Sequence, residues 1–302
     1  MIYEHPLAYL LGLEGVALLR AFTGEFDRDF VESRIAEIRE LLADEALAGD
    51  GVDVRRIGAV EGYALWSATY DAPGNAAFAI DSPVISEIVD ALPAGVAVDA
   101  ACGTGRISAV LAERGHRVLG VDSSPDMLAV ARERVPDGEF SVGDLRRLPV
   151  ADAGADLVVC ALALTHVPDL GPVLAEFARV LRPGGHLVLS DVHPEGVLRG
   201  SIPTLRGPDG KPGRLVSHRH LVGDYLRAAL PVGLRLRRCE EPRRPSPPEA
   251  ASPEVAPPSA PRNPGPWELW PWSLLELAPE AARAANADIP AMLIWHFQRE
   301  ES

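Results

Sequence analysis

Residues 96–128, VAVDAACGTGRISAVLAERGHRVLGVDSSPDML, constrain the fold more than the rest of the chain together. The run reads as an apolar strand, a glycine turn, an amphipathic helix and a second apolar strand ending in Asp122. A strand–helix–strand unit of this kind opens a pocket at the carboxyl ends of its strands. Gly103 and Gly105 let the backbone approach a ligand that a Cβ would hold away. A carboxylate at the end of the second strand, here Asp122, is placed to accept both hydroxyls of a ribose. The unit therefore predicts a pocket for an adenosine derivative.

Two cofactor chemistries use such a unit. A dinucleotide site wants G-x-G-x-x-G, so that a pyrophosphate rests on the helix N-terminus. Here the turn runs Ala101-Cys102-Gly103-Thr104-Gly105-Arg106-Ile107-Ser108 and lacks the third glycine. Asp99 also ends the first strand, directly under the ligand position. A carboxylate there repels a pyrophosphate and attracts an ammonium or a sulfonium. S-adenosylmethionine carries both, so the pattern favours a methyl donor over NAD.

Five segments in order then resemble the class I S-adenosylmethionine-dependent methyltransferases. They are Asp99–Arg106 (DAACGTGR), Val121–Leu128 (VDSSPDML), Gly143-Asp144-Leu145, Asp156–Asp169 (DLVVCALALTHVPD) and Leu181–Ser190 (LRPGGHLVLS). Any one alone is weak, whereas five over about a hundred residues are specific. The chain departs from the family at Ala101, where glycine is usual; alanine is the smallest intrusion there and shifts the turn slightly.

The resemblance implies an α/β fold, a Rossmann-like seven-stranded mixed sheet with helices on both faces. The last strand would be antiparallel, between the fifth and sixth, and a helical N-terminal and C-terminal cap would cover the active site. It also implies S-adenosylmethionine as the cofactor and assigns roles position by position. Asp99 would hold the methionine ammonium, and the backbone of Ala101, Gly103 and Gly105 would line the methionine portion. Asp122 would take the ribose, with Ser123 beside it, and Met127 would pack on the adenine. Asp144 would accept from the adenine amino group, the Leu145 amide would donate to the ring, and a carbonyl near Ala161 would take another ammonium proton. Tyr70, in YDAPGN, resembles a tyrosine that lies over the methionine carboxylate in many small-molecule methyltransferases.

Three parts follow from the pattern along the chain. Residues 1–93 carry no nucleotide-binding signature and read as a mostly helical N-terminal cap. One helix there places Ile35, Ile38, Leu41 and Leu42 on a single face and is ended by Gly49 and Gly51. Residues 94–194 are the cofactor-binding core. Within it Leu170, Val173, Leu174, Phe177, Val180 and Leu181 repeat at helical spacing, and Ser124-Pro125-Asp126 opens another helix. Residues 195–302 complete the sheet, with strands near Gly233–Glu241 and Ala291–Phe297 and a helix over Arg219–Leu230. They also carry a substrate-sized insertion whose proline-dense run, about 242–266, predicts an exposed mobile loop.

A chain of 302 residues that is 47% apolar can bury a sizeable core. The formal charge of −14 argues against DNA, RNA or an anionic membrane surface as partner. Three cysteines, Cys102, Cys160 and Cys239, read as reduced thiols rather than a disulfide framework. The apolar run Leu7–Leu19 is interrupted by Glu14 and lacks a basic flank, so it reads as neither span nor signal peptide. The expectation is a cytoplasmic protein, monomer or homodimer, acting on a small molecule.

Methyl transfer asks the protein to align the acceptor, exclude water and, for a protonated acceptor, remove a proton. His193, after the fifth strand, is the first candidate base and His166, after the fourth, the second. Trp66, His218, His220 and Tyr225 are candidates for the substrate wall, with Tyr63, Trp267, Trp270 and Trp272 as further aromatics. His218 and His220 lack a carboxylate or cysteine at ligand spacing, so no metal site is expected. Gly62–Asn75 and the closing IWHFQ resemble small-molecule methyltransferases of bacterial, especially actinomycete, pathways. The expectation is a tailoring methyltransferase of secondary metabolism, with oxygen favoured over nitrogen or carbon. Two alternatives stay open: a non-methylating cyclase or eliminase that binds the same cofactor, and an NAD-dependent oxidoreductase.

Overall fold

The computed structural model describes residues 1–67, 70–71, 76–207, 209–243 and 262–301. Most of the proline-dense run, 244–261, lies outside the described residues, as do residues 72–75 of the YDAPGN segment. The chain forms two compact units, one from residues 58–199, 216–244 and 290–302, the other from 1–57, 200–215 and 245–289.

The first unit holds the sheet. Its strands are β1 (Val96–Ala100), β2 (Arg117–Asp122), β3 (Glu139–Val142), β4 (Ala155–Ala161), β5 (Leu181–Val192), β6 (Leu234–Glu240) and β7 (Met292–Arg299). Its helices are α1 (Ala59–Trp66), α2 (Ala76–Asp90), α3 (Arg106–Glu113), α4 (Pro125–Arg134), α5 (Leu170–Val180), α6 (Pro194–Leu198) and α7 (Val222–Ala229). The strand order is β3-β2-β1-β4-β5-β7-β6. Strands β1 to β5 pair in parallel, and β7 runs antiparallel to both β5 and β6. The last strand thus lies between the fifth and sixth, as the resemblance implied.

Alternate residues of each strand point to opposite faces, and both faces are buried. Val98, Val158, Leu187 and Leu189 pack with Trp295, Phe297, Phe177 of α5 and Tyr225 of α7. Their neighbours Ala97, Leu157, Val159 and Val188 pack on the other face with Ile85 and Ile88 of α2 and Leu111 of α3. Phe177, Trp295 and Phe297 are among the largest fully buried side chains. Burying each contributes on the order of 2–3 kcal/mol. Tyr225 belongs to this core rather than to a substrate wall, its ring 5.5 Å from that of Trp295. The amphipathic face of α7, with Tyr225 and Ala229 buried, turns it toward the sheet.

The helix ends follow local chemistry. Ser124 caps α4 by accepting from the Met127 amide, with Pro125 at the first helical position. Asp169 caps α5 by accepting from the Gly171 amide. From β1 the chain builds outward to β2 and β3 on one side, then to β4 and β5 on the other. That reversal opens a crevice at the carboxyl ends of the central strands.

The second unit packs helices Pro6–Phe22, Arg28–Ala43 and Pro279–Asn286 with a four-stranded sheet in the order Ile2–Glu4, Val52–Ile57, Pro212–Leu215, Thr204–Arg206. Trp267 and Trp270 are buried in its core with Leu10, Leu13 and Ala281. Their indole N–H groups donate to Glu4 Oε2 (2.8 Å) and the Pro264 carbonyl (2.9 Å). The helix Arg28–Ala43 ends before Gly49, and of its four expected apolar positions Leu41 is buried while Ile35 and Leu42 are exposed. Arg34 occupies the inner face instead. Among the described residues, no helix is long and apolar enough to cross a membrane.

Arg34 is buried against three carboxylates, Glu14, Glu37 and Glu280. One cation cannot neutralise three anions, and Glu14 is fully buried with Oε2 unpaired. Burial, with the adjacent Glu37, raises the Glu14 pKa to about 8. The folded state therefore keeps a proton that the unfolded chain releases above its ordinary value of 4.5. Stability of this unit falls as pH rises through 4.5 to 8, by up to about 1.4 kcal/mol per pH unit. Glu14→Gln is expected to flatten the melting-temperature decline across that window, as calorimetry at stepped pH would measure.

Candidate active site

A cavity of about 420 Å³ opens at the carboxyl ends of β1, β2 and β4. Its floor is the turn after β1. Ala101, Gly103 and Gly105 take φ of +61°, +53° and +80°, so alternate residues are left-handed. For alanine this conformation costs roughly 1–2 kcal/mol, which explains why glycine is usual there. Leu162, after β4 on the opposite wall, is also left-handed at +58°. A Cβ on Gly103 would meet nothing within 4 Å, whereas one on Gly105 would lie 3.1 Å from Ala131 of α4. Gly103 faces the cavity and Gly105 serves helix packing.

Two carboxylates stand at the strand ends. Asp99 is buried and accepts from the Ser108 hydroxyl at 2.6 Å. Desolvation pushes its pKa up to about 6, and a cation alongside would restore the charged form. Asp122 accepts from the Gly103 amide through Oδ2 and the Ser124 amide through Oδ1, both at 2.8 Å. It thereby ties the β1 turn to the β2 turn. Burial raises its pKa against those amides. An ionised carboxylate has about four lone-pair directions, so capacity for a ribose hydroxyl remains.

Most of the sequence-predicted cofactor residues share this cavity. Tyr70, Asp99, Ala101, Gly103, Asp122 and Ser123 line it, with Met127, Asp144, Leu145 and Ala161. Asp144 accepts from the Arg146 amide at 2.8 Å and pairs with its guanidinium, which holds the Asp144 pKa down to about 2. Tyr70 sits edge-on to Tyr63, ring centres 5.6 Å apart. The adjoining Asp71 accepts from Thr104 of the glycine turn at 3.1 Å and pairs with Arg134.

The two candidate bases separate. His166 lines the cavity and His193 does not. His193 caps α6, its Nδ1 accepting from the Glu195 amide at 3.2 Å, while Nε2 donates to Glu241 at 3.1 Å. Both ring nitrogens are committed. His166 Nδ1 lies 2.8 Å from the Val216 carbonyl, which can only accept, so Nδ1 carries the proton. Nε2 then offers a lone pair, which takes the Tyr63 hydroxyl at 3.0 Å.

Trp66, His218 and His220 do not line the cavity. Trp66 packs on Tyr63, ring centres 5.7 Å apart. The His218 amide donates to the Thr165 carbonyl and His220 Nε2 to the Val167 carbonyl, both at 2.7 Å. With Val216 they form a strap that holds the His166 loop. Loop position alone placed the two histidines near substrate, because backbone pairing of this kind leaves no mark in the sequence.

Tyr63, one of the further aromatics named from the sequence, lines the cavity. Two features escaped sequence reasoning. Asp191 is buried and accepts from the Thr165 amide (2.5 Å) and hydroxyl (2.6 Å), fixing the residue beside His166. Arg106, on the cavity wall, forms a two-point ion pair with buried Asp81 (2.9 and 2.8 Å), which also accepts from Ser190 at 3.0 Å. The only sequence signal was adjacency, since Arg106 closes the first motif and Asp191 follows the last.

This strand order, with Asp99 and Asp122 about a left-handed turn, defines the class I S-adenosylmethionine-dependent methyltransferase fold. Residues 98–189 match the methyltransferase domain family. The chain is 42% identical over 93 residues to a malonyl-[acyl-carrier protein] O-methyltransferase of Serratia marcescens, covering 31% of this chain and 36% of that one. It is 38% identical over 112 residues to a demethylmenaquinone methyltransferase of Renibacterium salmoninarum, covering 37% and 47%. The chain thus spans less than half the length of these relatives. In fold it is similar to the protein of a DhpI–SAH complex, with TM-score 0.51, 19% identity and coverage of 80% and 96%. Residues 98–189 are thus a methyltransferase domain, and S-adenosylmethionine is the cofactor that its motifs imply.

The residues present fit that cofactor: a buried carboxylate for a cation, a second for a diol, and an open glycine backbone between them. Asp122→Ala removes the candidate ribose acceptor and frees the Gly103 and Ser124 amides. It is expected to weaken S-adenosylhomocysteine binding by about 1.5–3 kcal/mol, roughly 10- to 150-fold, in a calorimetric titration.

Proposed function

We propose that the chain transfers a methyl group from S-adenosylmethionine to a small, largely apolar molecule, with oxygen the favoured acceptor atom. The observation that carries this reading is the His166 Nε2 lone pair on the cavity wall, flanked by Tyr63 and Tyr70. The cofactor supplies a methyl already activated on a sulfonium. Asp99 holds the ammonium, Asp122 the ribose, and Asp144 and Leu145 the adenine edge. Met127, buried at the start of α4, packs on the ring. His166 is the general base, because its Nε2 is an acceptor nitrogen, held by the Tyr63 hydroxyl, on the cavity wall. One relative is by name an O-methyltransferase, which supports oxygen. The Gly62–Asn75 resemblance supports a tailoring step in secondary metabolism.

Transfer of labelled methyl from S-adenosylmethionine into a metabolite extract, followed by mass spectrometry, tests the reading. A labelled small molecule is expected. Absence of label despite tight S-adenosylhomocysteine binding would favour a non-methylating use of the cofactor. His166→Ala is expected to lower kcat roughly 10²- to 10⁴-fold with cofactor affinity unchanged. His193→Ala is expected to cost about 1 kcal/mol of stability as a lost helix cap while leaving kcat alone. Steady-state kinetics and thermal melts on both variants separate the two histidines.

A further inference from the structure

Both nitrogens of His166 are engaged, Nδ1 by the Val216 carbonyl and Nε2 by the Tyr63 hydroxyl. A proton reaching Nε2 from the cavity therefore has to arrive through Tyr63. The Tyr63 hydroxyl keeps a free lone pair while it donates to His166. Its ring stands edge-on to Tyr70, Trp66 and His166, with centres 5.5–5.7 Å apart, leaving an aromatic wall around one hydrogen-bonding point. The charged and titratable groups acting on this pair are Tyr70, Asp191 and Asp122. Burial keeps the Tyr63 phenol protonated, so the tyrosine serves as a neutral relay. Asp191, whose carboxylate interacts with His166, favours the imidazolium once it forms.

The chemistry of the base, an imidazole with Nδ1 protonated, limits the acceptor. In general an imidazole takes a proton readily from a hydroxyl whose pKa lies near 10, about that of a phenol. An aliphatic alcohol is several units less acidic and poorly matched. Tyr63 is itself a phenol docked on Nε2, so the chain displays the chemistry the base accepts.

We propose that Tyr63 is the group that meets the acceptor, and that the acceptor presents a phenolic or enolic hydroxyl on an aromatic or similarly flat body. This rests on the methyl-transfer reading above. The acceptor hydroxyl donates to Tyr63 Oη. As the acceptor oxygen bonds to the methyl carbon, the sulfur–methyl bond breaks and its electron pair stays on sulfur. The acceptor proton passes to Tyr63 Oη while the Tyr63 proton passes to His166 Nε2. Tyr63 is regenerated, and the imidazolium later returns its proton to solvent.

The test uses the full chain loaded with S-adenosylhomocysteine and carrying ¹⁵N-labelled histidine, titrated with phenol, anisole and benzylamine. Phenol is expected to bind and to move the His166 Nε2 resonance. Anisole, which cannot donate, is expected to bind at least about tenfold more weakly and leave that resonance in place. Tyr63→Phe should abolish the preference for phenol over anisole while leaving S-adenosylhomocysteine affinity unchanged. His166→Asn, which keeps a donor for the Val216 carbonyl and leaves the Tyr63 hydroxyl in place, should retain that preference. Equal binding of phenol and anisole by the parent, or an undiminished preference in Tyr63→Phe, would overturn the assignment. Preferential binding of benzylamine would overturn it in favour of an amine acceptor. Failure of the parent to bind S-adenosylhomocysteine would instead overturn the functional reading, and this assignment with it.

Discussion

A parallel sheet buried on both faces confines polar chemistry to its edges. Strands β1, β4 and β5 carry apolar side chains both up and down, from Val98 and Val158 on one face to Val159 and Val188 on the other. An unpaired carboxylate in such an interior would be costly. The acids therefore collect at the carboxyl edge, where Asp99, Asp122 and Asp191 each find hydroxyl or amide donors. There the desolvation that favours the neutral acid also makes each carboxylate a strong partner for a cation or a hydroxyl. The same burial that stabilises the sheet thus builds the electrostatics of the site.

Two of these acids organise loops as much as they face the cavity. Asp122 bonds the Gly103 and Ser124 amides and so locks the turns after β1 and β2 together. Asp191 bonds Thr165 and so sets the loop that presents His166. Strain accompanies this organisation, with Ala101 and Leu162 both left-handed on the cavity wall. Such positions are stable only when their surroundings over-determine them. The cavity floor and the His166 loop are consequently parts of one hydrogen-bonded edge.

The second unit follows a different logic. Its helices enclose an arginine with three glutamates rather than a wholly apolar seam. Trp267 and Trp270, two of the tryptophans expected at a substrate wall, fill its core, with their N–H groups satisfied by Glu4 and Pro264. Large amphipathic side chains serve core and pocket equally well, so composition alone does not separate the two uses.

The sequence by itself determined the sheet unit and much of the lining of the cavity at its carboxyl edge. Apolar runs, the glycine turn and two strand-ending acids are local signals that singled out Asp99, Gly103 and Asp122, while Met127 and Asp144 came from the family resemblance; all five line the cavity. The placement of β7 between β5 and β6 came only from the family resemblance, and the structure bears it out. Tertiary structure alone decided which histidine faces the cavity. His166 and His193 occupy equivalent loop positions along the chain, and what separates them is the set of partners that reach them. Val216 and Tyr63 hold His166 on the cavity wall, its Nε2 accepting from a cavity-lining hydroxyl, whereas Glu195 and Glu241 hold His193 away from the cavity. Those partners lie up to 103 residues away in sequence. Long-range hydrogen bonds of this kind set tautomer and direction, and no local pattern encodes them.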